Sequence, residues 1–163
     1  NTLKGKFLEM LVQVTMMKFN HEKLDGAFFG KSGQIELPLF QYVNTKTVKG
    51  LKTAQYQIDI FGQELKQRKR VWICECKYTK SKMGMGQLEK LEKACEALKQ
   101  EEEDKGLSIP DVQMWLVSTG GFTEELSQYV KNREDIYLSD YEGINRIFQA
   151  YGGNYKIPVF KGA

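Results

Sequence analysis

Residues 112–117, Val-Gln-Met-Trp-Leu-Val, are apolar at five of six positions, and a run this continuous reads as a central strand covered on both faces. Its neighbours supply the covers. Upstream, from about Met85 to Glu103, Leu88, Leu91, Ala94, Cys95 and Leu98 recur at helical spacing while Glu and Lys fill the opposite face. Downstream, STGGF leads to Thr123, an N-cap candidate with Glu124 and Glu125 in the first turn of a helix reaching about Asn132. A short strand at 135–138 and a helix at 141–150 follow. Strands that alternate with helices join a sheet through crossovers, so this half of the chain implies helices packed against a sheet.

The first half reads differently. Residues 3–19 place Phe7, Met10, Leu11, Val14 and Met17 on one helical stripe, with Glu9 at its edge. DGAFFGKSG then reads as a loop or irregular strand, and 34–43 as a strand that Pro38 limits to an edge or bulge. A basic loop precedes a strand at 55–61, and residues 62–70 connect it to another at 71–79. The order α-β-β-β-α-β, followed by α-β-α, predicts an α/β fold with a mixed central sheet and helices on both faces. One domain over 1–150 is expected, with 151–163 as a glycine-rich tail or the start of a linker. At 163 residues the chain can bury a core without disulfide or metal staples. It begins with Asn1 rather than Met, which suggests a domain excised from a longer multidomain protein. No apolar run approaches the roughly 20 residues that cross a bilayer, so no membrane partner is expected. An odd number of cysteines, three, argues against a disulfide framework and for a reducing, cytoplasmic compartment.

The strand Val71-Trp-Ile-Cys-Glu-Cys-Lys-Tyr-Thr-Lys80 carries two charges in an apolar setting. Side chains alternate along a strand, so Ile73, Glu75 and Lys77 share one face while Trp72, Cys74, Cys76 and Tyr78 share the other. In the preceding strand Asp59 shares a face with Gln57 and Phe61, opposite Ile58 and Ile60. Pairing the two strands brings Asp59 near Glu75. Two carboxylates with a main-chain oxygen at Cys76 make a hard-oxygen site suited to Mg²⁺ or Mn²⁺, and Lys77 can reach the same phosphate or the attacking water. Taken alone, an E-x-K triplet is more simply an ion pair on an exposed sheet face. Cys74 and Cys76 are more simply buried small side chains than zinc ligands, and His21 is assigned no chemistry. Charge also gathers around this strand. Between Thr45 and Lys82 ten Lys or Arg face three acids, against a net charge of +3 for the whole chain. That surplus favours a phosphate-bearing partner, with Lys49, Lys52, Arg68, Lys69, Arg70, Lys80 and Lys82 as candidate nucleic-acid contacts.

Asp59 in QIDIFG, Glu75-Cys76-Lys77 in CECK and the amphipathic helix after them resemble the pattern of the PD-(D/E)XK nuclease superfamily over most of the chain. The later stretch VSTGGFTEELSQYVKNREDIYLSDYEGINRIF looks like the C-terminal half of Mrr-type restriction endonuclease domains. Ile58 stands where the signature has proline. The resemblance implies a restriction-endonuclease-like core that hydrolyses DNA phosphodiester bonds with a divalent metal. It implies Asp59 and Glu75 as metal ligands and Lys77 as the catalytic cation. Glu9 matches an acidic residue that some members carry on the first helix, and Gln87 a polar active-site position of some relatives.

The leading expectation is therefore a metal-dependent DNA endonuclease, the cutting module of a defence or DNA-processing protein. The alternatives are a catalytically silent nucleic-acid-binding module of the same fold, or a resolvase or RNase variant. Two cuts on a duplex call for two active sites, which a homodimer would supply, and other domains of the parent chain would select targets.

Overall fold

The computed structural model describes residues 3–49, 55–64 and 70–152. The chain runs α1 (Leu3–Met16), β1 (Lys23–Asp25), a short 3-10 helix (Gly26–Phe29), β2 (Gln34–Glu36), β3 (Phe40–Lys49), β4 (Gln55–Glu64) and β5 (Arg70–Lys77). It continues with α2 (Met85–Asp104), β6 (Asp111–Ser118), α3 (Glu124–Val130), β7 (Ile136–Ser139) and α4 (Tyr141–Ala150). The central sheet has the order β3-β4-β5-β6-β7. Its first three strands are antiparallel, as consecutive strands of a meander must be, and β5, β6 and β7 are parallel because α2 and α3 carry the chain back between them. β1 and β2 pair separately as a small antiparallel ribbon.

Helices cover both faces, and the sheet alternation sorts the core in two. Trp72, Cys74 and Cys76 of β5 and Trp115 and Val117 of β6 pack with α1 and α4. Val71, Ile73, Val112, Met114 and Leu116 pack with α2 and α3. Every apolar residue of 112–117 is buried, as a doubly covered strand requires. The first core is aromatic: Trp72 stacks on Tyr137 at 4.9 Å and meets Trp115 edge-on at 5.7 Å, and Trp115 Nε1 donates to Ser139 Oγ at 2.8 Å. A fully buried side chain of this kind contributes about 1.5–3 kcal/mol, so this layer fixes β5 firmly against its neighbours.

The expected helices at 85–103 and 141–150 are observed almost to the residue, and Thr123 Oγ1 does accept from the Leu126 N–H to cap α3. The first half departs from expectation in three ways. The stripe expected on the first helix is, Leu11 apart, its outer face: Phe7, Met10, Val14 and Met17 are exposed, while Leu8, Leu11, Val12, Thr15 and Met16 are buried. Both sets have helical spacing. Thr15 hides the true one from a hydrophobicity count, because its hydroxyl is satisfied inside the helix by the Leu11 carbonyl at 2.7 Å. Second, Pro38 falls between β2 and β3, separating two strands where one was expected, and β3 runs on through Thr45–Lys49, expected to be loop. Third, Ile58 and Ile60 belong to opposite cores, not one face. A register irregularity lies here: Asn44 pairs with Phe61 but Lys46 with Ile58, so β4 has one residue more than β3, beside Asp59.

Candidate active site

Asp59 stands where β4 parts from β5. The ladder between these strands runs from Gln63↔Val71 to Ile60↔Cys74 and stops there. The next backbone donor of β5 facing β4 is the Cys76 N–H, and the Asp59 carboxylate takes it, Oδ2 accepting at 3.3 Å. A side chain thus replaces the missing rung of the ladder. Lys77 faces the other way, its carbonyl accepting from the Thr119 N–H on the β6 side at 3.1 Å. A strand residue presents its N–H and C=O at the same edge, so the Cys76 carbonyl also faces the gap that Asp59 occupies. The Cys76 thiol is buried among the α1-side residues, and burial pushes its pKa well up, so its sulfur remains a protonated core group.

Glu75 and Lys77 project from β5 on the face of α2. With Asp59, Tyr56, Lys90 and Leu91 they line a cavity of about 360 Å³. The carboxylates crowd one another. Burial raises the Asp59 pKa, against lowering by the Cys76 N–H, Lys77 and Lys90. Burial and then the charge of Asp59 raise Glu75, again with Lys77 and Lys90 opposing. Glu9 reaches the same region from α1 without lining the cavity: burial and then Asp59 raise it, and Lys77 opposes. Two carboxylates and two lysines therefore share one cleft, with Glu9 close enough to feel the charges of Asp59 and Lys77. Such a cluster favours an added cation, because burial, and for Glu9 and Glu75 the charge of Asp59, disfavours the ionised carboxylates.

Asp59, Glu75, Lys77 and Glu9 are thus brought together. Gln87 is occupied elsewhere: its Oε1 accepts from the Gly84 N–H at 3.0 Å, a capping interaction at the start of α2, and it does not line the cavity. Lys49 ends β3 opposite Gln55, a residue of the cavity wall, and Lys80 and Lys82 are exposed just beyond the end of β5. Arg70 opens β5 at the far end, about 17 Å from Glu75 by strand rise, between Glu64 at 3.9 Å and Asp111 at 3.6 Å. Lys52, Arg68 and Lys69 lie outside the described residues. The residue sequence reasoning missed is Lys90. Helical periodicity assigns it to the solvated face of α2, yet it sits one turn beyond Gln87 and beside Leu91, at the border of the buried stripe. Only the position of the β4–β5 fork makes that border part of the cleft.

Comparison with protein-family profiles and with curated proteins gave no match. A solved structure described as an EndoMS–dsDNA2 complex is similar to this chain with a TM-score of 0.39 and 12% identity, over 72% of this chain and 38% of that one.

Proposed function

We propose that the protein is a metal-dependent endodeoxyribonuclease and acts as the cutting module of a larger defence or DNA-processing protein. The observation that carries this reading is the convergence of Asp59, Glu75 and Lys77 at the fork between β4 and β5, in a cleft where burial raises the proton affinity of both carboxylates. The donor set suits Mg²⁺ or Mn²⁺. Asp59, Glu75 and the main-chain oxygen of Cys76 are hard oxygens, whereas the buried cysteines that a softer metal would favour face the core. Among the described residues, no three His, Cys, Asp or Glu side chains are grouped to hold an ion unaided. Such a site matches an ion that keeps waters and takes substrate phosphate oxygens.

Bound there, the ion would supply Lewis-acid activation of the phosphate and of a water nucleophile. The protein's own groups do the rest. The Lys77 ammonium offsets the charge that develops on the attacked phosphate's oxygens. Glu9, raised by burial, is suited to orient the attacking water and accept its proton. Lys49, Lys80 and Lys82 hold the backbone by contacts that carry no base information.

Measuring DNA binding and DNA cutting side by side tests the reading. In Ca²⁺ the protein should bind duplex DNA with salt-sensitive affinity and leave it intact, and in Mg²⁺ or Mn²⁺ it should cut it. Binding in every buffer with cutting in none would instead make this a silent binding module.

A further inference from the structure

Two lysines on different elements face the cleft. Lys77 extends from β5 and Lys90 from α2, whose Leu91 and Ala94 also line the cavity. Both carboxylates at the fork feel Lys90, since its charge opposes the raised proton affinity of Asp59 and of Glu75 alike. Lys90 is nevertheless exposed, and among the described residues it makes no ion pair or hydrogen bond. A lysine whose purpose was to neutralise those carboxylates would sit in contact with one of them. This one lines the cavity without pairing with either carboxylate, which leaves its exposed ammonium available to something that enters the cleft.

Charge balance says what enters. Glu9, Asp59 and Glu75 bring three negative charges, and Lys77 and Lys90 bring two positive ones. One divalent cation leaves the cleft with a single positive charge, which one phosphodiester cancels. A nucleic-acid strand carries further phosphates on either side of the one attacked. Lys77 shares its strand with Glu75, whereas Lys90 belongs to α2, so the two lysines approach the cavity from different elements.

We propose that Lys90 is a positioning residue that holds the phosphate next to the scissile one, fixing the strand across the cleft while Lys77 serves the phosphate being cut. The proposal rests on the nuclease reading above. An ammonium is a compact point charge on a flexible stem and suits this contact, which asks for charge at a place and not for a fixed two-pronged geometry. A contact made equally in the ground state and the transition state strengthens binding and leaves the chemical step nearly unchanged.

The test compares wild type with Lys90→Ala, Lys90→Arg and, as a control for general charge, Lys99→Ala on the exposed side of the same helix. Duplex DNA with a fluorescent end is titrated in Ca²⁺ at several salt concentrations, and cutting is then followed in Mg²⁺. Lys90→Ala should weaken binding about tenfold and lower the slope of log affinity against log salt by about one. It should also raise KM with kcat changed less than about threefold. Lys90→Arg should restore most of the binding, and Lys99→Ala should resemble wild type. An unchanged salt slope in Lys90→Ala, with wild type binding and cutting normally, overturns the role of Lys90 and leaves the nuclease reading intact. A collapse of kcat with unchanged binding also overturns it, because it would put Lys90 in the chemical step. A wild type that neither binds nor cuts removes the nuclease reading and this proposal with it.

Discussion

Replacing Asp59 by Asn should stabilise the ligand-free protein at neutral pH. Asp59 and Glu75 in the cleft and Glu9 beside it all have raised proton affinity, and the charge of Asp59 contributes to raising both of the others. Asn retains an oxygen for the Cys76 N–H, so the contact at the fork survives. What is lost is attraction to Lys77 and Lys90, both exposed and therefore well screened. The net gain should be about 1 kcal/mol, the usual scale for relieving a strained functional site, or about 2–4 °C in melting temperature for a domain of this size. The pH dependence follows from the direction of the shifts. A carboxyl whose folded pKa lies above its unfolded value keeps its proton longer in the folded state. Wild-type stability therefore falls as pH rises from near the unfolded value of about 4 through the raised folded values, and stays lowered above them. Below that window both states are protonated and the penalty is absent. Scanning calorimetry in chelator at neutral and mildly acidic pH should show the Asn variant melting higher at neutral pH, with the gap narrowing in acid. A variant that melts lower at neutral pH, or a gap indifferent to pH, would refute the electrostatic account of the cleft.

Adding Mg²⁺ or Mn²⁺ at ten times its dissociation constant should stabilise wild type by about 1.4 kcal/mol in a thermal shift measurement, and Asp59→Asn with Glu75→Gln should abolish the effect. Lys77→Ala should lower kcat about a hundred- to a thousand-fold while the melting temperature falls by no more than about 2–4 °C, because Lys77 is exposed and, among the described residues, makes no ion pair or side-chain hydrogen bond. Gln87→Ala should cost about 1 kcal/mol of stability through the lost cap at α2 while cutting persists within a few-fold, as read by melting and a cleavage time course. On α1, urea unfolding should show Leu8→Ala costing about 2–5 kcal/mol and Phe7→Ala within about 0.5 kcal/mol, since only the first is buried.

What could be read from the sequence followed the strength of the local signal. β6 lies between two helical cores, and its apolar run announces both covers. α2 and α4 carry amphipathic stripes that only one phase satisfies. α1 has two apolar faces, and the choice between them is made by the sheet it packs on, which periodicity cannot see. Around the site, β5 was legible because its alternation is unbroken: Trp72, Cys74 and Cys76 do go to one side and Glu75 and Lys77 to the other. In β4 the register irregularity beside Asp59 breaks the alternation, so a face count sent Ile58 and Ile60 to the same side. The position of Asp59 at the fork follows from a ladder that stops, a property of two strands together. For the same reason Lys90 was invisible: its role depends on where α2 lies over the fork, and its own helix marks it only as a solvated residue.

On the proposed reading, this cleft cuts DNA with a divalent ion held at Asp59 and with Lys77 as the assisting cation. Conversion of supercoiled plasmid to nicked and linear forms, by wild type, Asp59→Ala and Lys77→Ala, tests it most directly. Cutting by wild type should require Mg²⁺ or Mn²⁺, stop in EDTA and disappear in both variants. Equal cutting by the two variants would contradict it, because the reaction would then be taking place somewhere other than the fork between β4 and β5.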